Sequence, residues 1–520
     1  MNRETLISRL KDSSAPFDIA IIGGGATGLG AAVDAASRGH SVVLIEQSDF
    51  AKGTSSRSTK LVHGGVRYLK QGNVSLVLEA LRERGLLVRN APHLVHSLPF
   101  IIPSYHWWEG PFYGIGLKMY DALAGQLGLQ PSRYLTREEI IESLPTLETE
   151  GLDGGIVYHD GQFDDARLAI HLARTAVNHG GILLNHTRCT GLMKENGHII
   201  GVLAECVESG AQHEIRAHCI INATGVFVDE VRQMDEAQAT HIVSPSQGMH
   251  LVLPREFMPS DSAIMIPKTD DGRVLFAVPW HGRVVIGTTD TPVHHASLEP
   301  RPLPDEIEFL MTHAARYLTR DPRLCDVLSM FAGLRPLVAS KEAGSTTALS
   351  RDHTILVSDS GLITITGGKW TTYRRMAEDV IDHAELIGGI GAKRCMTHEL
   401  RIHGSDTILP ATDPLALYGS DASAIRDLMK REPEWSGKVH PKLDLTCAEV
   451  IFHARHEMAR TIGDVLARRS RSLLLDAQAS MSAAPRVGHL LASELGWDEA
   501  KTSHEIDRFQ KLAAGYLLEG

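Results

Sequence analysis

The chain has 520 residues, 43% of them hydrophobic and 22% charged, a globular balance that excludes a disordered chain. Fifty-two basic residues stand against 63 acidic ones, and the net charge of −11 leaves no electrostatic footprint for nucleic acid. Six cysteines (Cys189, Cys206, Cys219, Cys325, Cys395 and Cys447) form no C-x-x-C pair, so neither a zinc ribbon nor an iron–sulfur cluster is expected, and no metal. Their sparse spacing suits buried free thiols in a reducing compartment.

In chain order, the opening MNRETLISRLKDSS lacks the apolar stretch of a secretory signal, and no run of about 18 uncharged apolar residues follows anywhere, so no spanning helix is expected. Residues 17–46 read as strand, turn, helix and strand: FDIAII is a buried-strand run, then come GGGATGLG, an alanine-rich helix and SVVLI. The turn contains Gly23-x-Gly25-x-x-Gly28, with Glu46 closing the second strand. Such glycines make a tight turn, admit a pyrophosphate to the backbone and let helix pack on strand, while the acid meets ribose hydroxyls. A carboxylate there repels a 2′-phosphate, which disfavours NADP but does not separate NAD from FAD.

Residues 53–70 read as a polar, glycine-punctuated loop, and a helix runs from about Leu76 to Val88 with Arg82, Glu83, Arg84 and Arg89 on its polar side. FIIPSY, GGIVYH, HIIGVLAEC, CIINATG and HLVLP are strand-like; DDARLAIHLARTAVNHGG is a helix between an acidic start and a glycine stop. RVLFAVP and RVVIGTTD flank WHG as a hairpin. The strand ending Ala223-Thr224-Gly225 offers backbone to a dinucleotide, with an ordinary strand-ending turn as the equal alternative. LITIT then runs into GGKWTT and a helix carrying Met376, Ala377, Val380 and Ile381, whose N-terminus suits the negative charge of a reduced flavin. Glycine turns so widely separated imply a cofactor touched by distant segments, which fits a flavin better than a nicotinamide dinucleotide.

After the linker HGSDTILPATDP the pattern becomes helical. Thr446 and Glu449 form a capping box before an apolar stripe of Cys447, Val450, Ile451, Ala454, Met458, Ile462, Val465 and Leu466. Pro485 suits a helix first turn, and Ile506, Phe509, Leu512, Ala513 and Tyr516 form a last stripe.

The series GGGATGLGAAVDAASRG, TSSRSTKLVHGGVRYL, NATGVFVD, GMHLVLP, VIGTTD, GLRPLV, SRDH and GGKWTTYR resembles, in order over residues 17–395, the FAD-dependent glycerol-3-phosphate dehydrogenases of the aerobic, quinone-linked type. The resemblance implies an α/β fold: a Rossmann-like FAD-binding domain interleaved with an antiparallel-sheet substrate domain, plus a C-terminal helical domain. It divides the chain into an oxidoreductase region at 1–395 and a helical domain at 400–520. Within the first, FAD-binding segments lie at roughly 17–75, 160–235 and 345–395, and substrate-binding segments at roughly 76–159 and 236–344. It implies FAD held by Gly23, Gly24, Gly25, Thr27, Gly28 and Glu46; by Thr54, Ser55, Ser56, Ser58, Lys60, His63, Gly64 and Gly65; by Ala223, Thr224 and Gly225; and by Gly367, Gly368, Lys369 and Thr371. Trp370 stands beside Lys369 where an aliphatic residue is expected.

The reaction implied is oxidation of sn-glycerol 3-phosphate to dihydroxyacetone phosphate, with hydride passing from carbon 2 to flavin N5 and electrons onward to a quinone. The resemblance places Arg67, Tyr68, Arg335, Arg351 and Lys369 at the substrate. Arginine forks with a lysine point charge suit a phosphate dianion. A base near neutral pKa is wanted for the hydroxyl proton, and His250 on the strand GMHLVL is the choice, with Arg335 lowering the pKa of the alcohol and Lys369 beside them. The competing readings are an oxygen-using FAD oxidase of a small amino or hydroxy acid, and a flavin-binding redox sensor without turnover. The resemblance also implies peripheral attachment to the inner face of the cytoplasmic membrane, and it admits a homodimer. The candidate membrane surfaces are the aromatic segment 105–120 and the basic run Arg455, Arg460, Arg468, Arg469 and Arg471.

Overall fold

The computed structural model describes residues 1–66, 73–106, 109–267, 269–270, 272–338 and 353–518. Two sheets and a C-terminal group of helices make up the molecule. In the first sheet the apolar strand Phe17–Ile22 lies parallel to Val42–Ile45 on one side and Gln212–Asn222 on the other, with Ile182–Leu184 and Leu362–Gly367 continuing the parallel array. Central strands buried on both faces must be apolar throughout, as FDIAII and VVLI are. His353–Val357 closes one edge antiparallel.

The second sheet is mostly antiparallel and holds Val95–Ser104, Gly154–Phe163, Val243–Pro254, Ala263–Ile266, Leu275–Trp280, Arg283–Gly287 and Ser329–Val338. Its one parallel pair is Val95–Ser104 with Ala263–Ile266. The hairpin turns at His281 and Gly282, both at positive φ, which matches the twist of the strands it joins. The chain crosses between sheets at Phe163, since all of Gly154–Phe163 pairs in the second sheet and the helix Asp165–Asn178 packs with the first. Leu61–Val62 also pairs in the second sheet.

The C-terminal helices pack against part of the second sheet, on the face that also carries His250. Val252, Trp280, Val285 and Phe331 of that sheet share one apolar cluster with Val450, Val465, Leu473, Val487 and Phe509. The Thr446–Glu449 capping box is formed, but its helix stops at His456 and Met458 takes a positive φ, so the predicted stripe divides between this helix and the turn Asp464–Arg469. Pro485 lies inside the helix Ala477–Leu495 rather than in its first turn. The carbonyl of Met481, which the proline cannot serve, meets the Gln510 amide instead, at 3.5 Å.

Two charge readings are corrected by packing. Glu83 and Arg84 are buried, not on a wet face: Glu83 accepts from Nε and Nη2 of Arg374, both at 2.7 Å, and Arg84 donates to Asp160 at 2.8 Å. Arg468, Arg469 and Arg471 are buried as well, against Asp49, Asp464 and Asp164, so this run offers no surface to lipid. Arg455 and Arg460 are engaged by Glu494 and Glu208. All six cysteines are free, but Cys325 is exposed and Cys189 and Cys395 are half-buried, so only three are the buried thiols expected. Among the described residues, no helix is long and apolar enough to cross a membrane.

Candidate active site

Two cavities, of about 320 Å³ and 210 Å³, meet where Thr54, Pro336, Gly367, Gly368, Lys369 and Trp370 wall both. Together they form a trough that passes from the carboxyl ends of the first sheet's strands to the face of the second.

The smaller cavity lies at the glycine turn. Gly23, Gly25, Thr27 and Glu46 line it, with Ser55, Ala223, Thr224 and Gly225 opposite. Gly23 sits at φ +111°, where a side chain would also strike the Ala223 carbonyl. Gly24 and Gly28 serve packing instead. A Cβ on Gly28 would stand 1.9 Å from the Gly23 carbonyl oxygen, and one on Gly24 would meet Glu46 and Phe50. Glu46 accepts from the Gly24 N–H at 2.7 Å and the Ser48 N–H at 2.8 Å, which fixes its carboxylate at the cavity wall.

The larger cavity is walled by Arg57, Ser58, Thr59, His63, Gly65, Asp160, His250, Arg273, Thr288, Asp290, Arg335, Lys369 and Thr371 among its polar residues. Strand register brings the key ones together: His250 stands opposite Phe331 on one neighbour and Gly287 on the other, and Arg335 stands opposite Ser246. The His250 imidazole stacks on Phe331 at 4.8 Å and shares a hydrogen bond between Nε2 and Thr59 Oγ1 at 2.9 Å. Gly287 is required there, because a Cβ would meet the imidazole at 2.2 Å. Burial, then the charges of Lys60 and Arg335, push the His250 pKa well below its ordinary value, so the ring is neutral at physiological pH.

Arg335 donates to Asp290 Oδ1 at 3.0 Å and to the Thr289 carbonyl at 2.9 Å, which sets the guanidinium across the cavity wall. Asp160 is held by Arg84 at 2.8 Å and by the Tyr120 hydroxyl at 2.7 Å. Arg57, Arg273, Arg335 and Lys369 thus share this wall with Asp160 and Asp290; Arg57 is held by Glu299 and Arg335 by Asp290.

Several expected cofactor residues stand off the trough. Lys60 is fully buried, donating to Asp165 at 2.8 and 2.9 Å and to the Ser56 carbonyl at 2.7 Å; it braces the loop from behind, with Ser56 beneath it. Gly64 gives its N–H to Tyr120 at 2.7 Å and lies against Leu81. Arg67, Tyr68 and Arg351 lie outside the described residues. Arg57, Thr59, Asp160 and Asp290 were missed as wall residues. Thr59 and Asp290 occur within TSSRSTKL and VIGTTD, but nothing local tells a wall residue from a strut.

A family model described as FAD dependent oxidoreductase matches residues 18–374, and one described as C-terminal domain of alpha-glycerophosphate oxidase matches 382–502. The chain is 40% identical to the mitochondrial glycerol-3-phosphate dehydrogenase of Arabidopsis thaliana, over 96% of this chain and 86% of that protein. It belongs to the FAD-dependent glycerol-3-phosphate dehydrogenase family. The human mitochondrial glycerol-3-phosphate dehydrogenase is 38% identical over 98% of this chain and 75% of its own length. The structure of the glycerol-3-phosphate dehydrogenase of Bacillus halodurans, complexed with FAD, superposes with a TM-score of 0.79 at 28% identity, covering 99% of this chain and 97% of that one. The glycine oxidase of Geobacillus kaustophilus, at 20% identity and a TM-score of 0.53 over 74% of this chain and 97% of that one, shares the fold.

The cofactor of this family is FAD, and the trough fits it. Gly25 has extended backbone (φ −83°, ψ −175°) that any residue adopts, and a Cβ there would approach only Ser55 Oγ, at 3.2 Å. No protein neighbour demands that glycine; the space in front of it does. Gly25 also caps the helix Ala26–Ser37 without a side chain, which leaves the helix N-terminus open to a pyrophosphate. Gly23, Gly25, Thr27 and Glu46 would hold the adenosine and pyrophosphate portion, and Gly367, Gly368 and Thr371 the flavin portion.

Proposed function

We propose that the larger cavity oxidises sn-glycerol 3-phosphate to dihydroxyacetone phosphate, with Lys369 and Arg335 drawing the phosphorylated polyol and His250 taking the hydroxyl proton. The convergence of His250, Arg335 and Lys369 on one cavity that adjoins the FAD trough carries this reading. A carboxylate substrate asks for one arginine fork, whereas a phosphate dianion asks for several donors. Arg67, Tyr68 and Arg351 join this set by resemblance alone. Bound FAD supplies the acceptor for the hydride of carbon 2.

The chain's own residues supply the rest. Burial holds His250 neutral, so it needs to lose no proton before accepting one, and the same burial makes it a weaker base than the near-neutral one the sequence called for. Its position is set by the stack on Phe331 and the hydrogen bond of Nε2 with Thr59. Arg335, oriented by Asp290 and the Thr289 carbonyl, stabilises developing negative charge on the carbon 2 oxygen.

Electrons leave for a quinone at a membrane surface. What supports this is the helix Glu109–Ala124, which turns Phe112, Ile115 and Met119 to solvent while Leu117 and Tyr120 on its other side are buried. An exposed apolar helix face suits peripheral contact with lipid. This replaces the arginine run as the candidate attachment surface.

The deciding experiment is anaerobic titration of the holoprotein with glycerol 3-phosphate, followed by a quinone in liposomes or by oxygen. Bleaching of the flavin by the phosphate but not by glycerol, and reoxidation by quinone, are expected. Bleaching by glycerol equally well sinks the phosphate reading; reoxidation by oxygen alone sinks the quinone.

A further inference from the structure

We propose that Trp370 is a positioning residue for FAD: its indole N–H holds the 53–56 turn in the place from which Ser55 orients the start of the helix Ala26–Ser37 toward the cofactor. The proposal rests on FAD as cofactor and not on the identity of the substrate. Trp370 walls both cavities where they meet. Its Nε1–H donates to the Ser55 carbonyl at 2.8 Å, across 315 residues of sequence. The Ser55 hydroxyl in turn accepts from the Ala26 N–H at 2.9 Å, the first amide of the helix whose N-terminus opens at Gly25. Thr54 anchors the other end of the same turn by donating to the Leu334 carbonyl at 2.6 Å. The indole is itself wedged edge-on between Phe163, at 5.5 Å, and Tyr373, at 5.7 Å, so its N–H has little freedom to point elsewhere.

One side chain therefore joins the glycine turn, the 53–56 turn and the 367–371 turn, the three segments that flank the trough. A leucine fills part of that volume but donates nothing, and a phenylalanine keeps the aromatic wedge without the N–H. Ser55 would then be left free to swing away from Ala26, and amides that should be fixed before FAD arrives would have to be ordered during binding.

The test is FAD binding to the apoprotein, read from flavin fluorescence, for Trp370→Phe, Ser55→Ala and the double variant. Trp370→Phe is expected to weaken FAD binding about tenfold, as for loss of one hydrogen bond with its partner left behind. Ser55→Ala should weaken it by a similar factor. The double variant should fall within about twofold of the weaker single one, because both substitutions break the same chain of contacts. The apoprotein should still melt cooperatively in Trp370→Phe, lower by no more than the few degrees one hydrogen bond accounts for. Affinity within twofold of the parent in Trp370→Phe overturns the proposal, as do multiplied losses in the double variant or loss of a cooperative melt with the affinity. A parent protein that binds no FAD would overturn the cofactor assignment, and this proposal with it.

Discussion

Two arginine-rich regions of this molecule look alike in composition and differ in what surrounds them. Around the larger cavity, Arg57, Arg273, Arg335 and Lys369 stand on one concave wall, Arg57 held by Glu299 and Arg335 by Asp290 while still lining the space a ligand would fill. In the seam between the C-terminal helices and the first sheet, Arg468 and Arg469 close on Asp49, Arg468 also on Asp464, Arg471 on Asp164, and Arg167 on Glu457 at 2.7 Å, all of them buried. Charge enclosed between packed elements fastens them; charge held by a neighbour but lining a concave wall still faces a ligand. The distinction lies in what the charge faces, not in the arginines.

The comparison can be broken most sharply in the seam. Arg469→Met removes one partner of a buried ion pair and leaves Asp49 with less compensation, so unfolding free energy should fall by about 3–5 kcal/mol in denaturant titration. A loss below about 1 kcal/mol would place Arg469 with exposed pairs instead.

The same seam should be acid-sensitive. Burial first, then the Arg167 charge, lowers His93 to about 4 and holds His171 well below its ordinary value, and burial does the same to His453. The unfolded chain takes these protons near pH 6.5, the folded protein only near pH 4 for His93. Their contribution is therefore complete above pH 6.5 and drains as pH falls toward 4, by up to about 3 kcal/mol for His93. His186 opposes the trend: although burial lowers it, the Asp464 carboxylate raises it overall, and its contribution is present at low pH and lost as pH rises through its folded value. Three lowered histidines against one raised predict a net loss of stability from pH 6.5 to 4; thermal melts flat across that window would contradict it.

At the cavity, Lys369→Ala should cost about 1.5–3 kcal/mol of substrate interaction, a fall of roughly tenfold or more in kcat/KM with glycerol 3-phosphate. Its melting temperature should barely move, in contrast to Arg469→Met. The smallest effect is expected at Arg455, half-exposed and paired with Glu494 at 2.6 Å: Arg455→Ala should change stability by less than about 1 kcal/mol.

Much of the fold could be read before any contact was known. FDIAII, the glycine turn, the alanine-rich helix and Glu46 form a local unit whose chemistry is complete within thirty residues or so, and the structure has it strand for strand. The hairpin at His281–Gly282 and the Thr446–Glu449 capping box were equally local. The candidate site was legible in part. Its glycine turns, His250, Arg335 and Lys369 stood out, whereas Lys60 and Gly64, expected at the FAD, prove to be a strut and a packing contact.

The sequence by itself determined the segments that need only their neighbours: strand runs, turns demanding glycine, caps, and the order of motifs that marks the family. Tertiary structure alone decided which charges are spent internally, because those partners lie far along the chain. Lys60 finds Asp165 across 105 residues and Arg468 finds Asp49 across 419. It alone decided that Trp370, an oddity beside Lys369 in the sequence, bridges the two halves of the trough. Periodicity and turn chemistry act over one or two turns of backbone; who neutralises a buried charge depends on how whole sheets and helices pack, because only packing excludes the water that would otherwise solvate it.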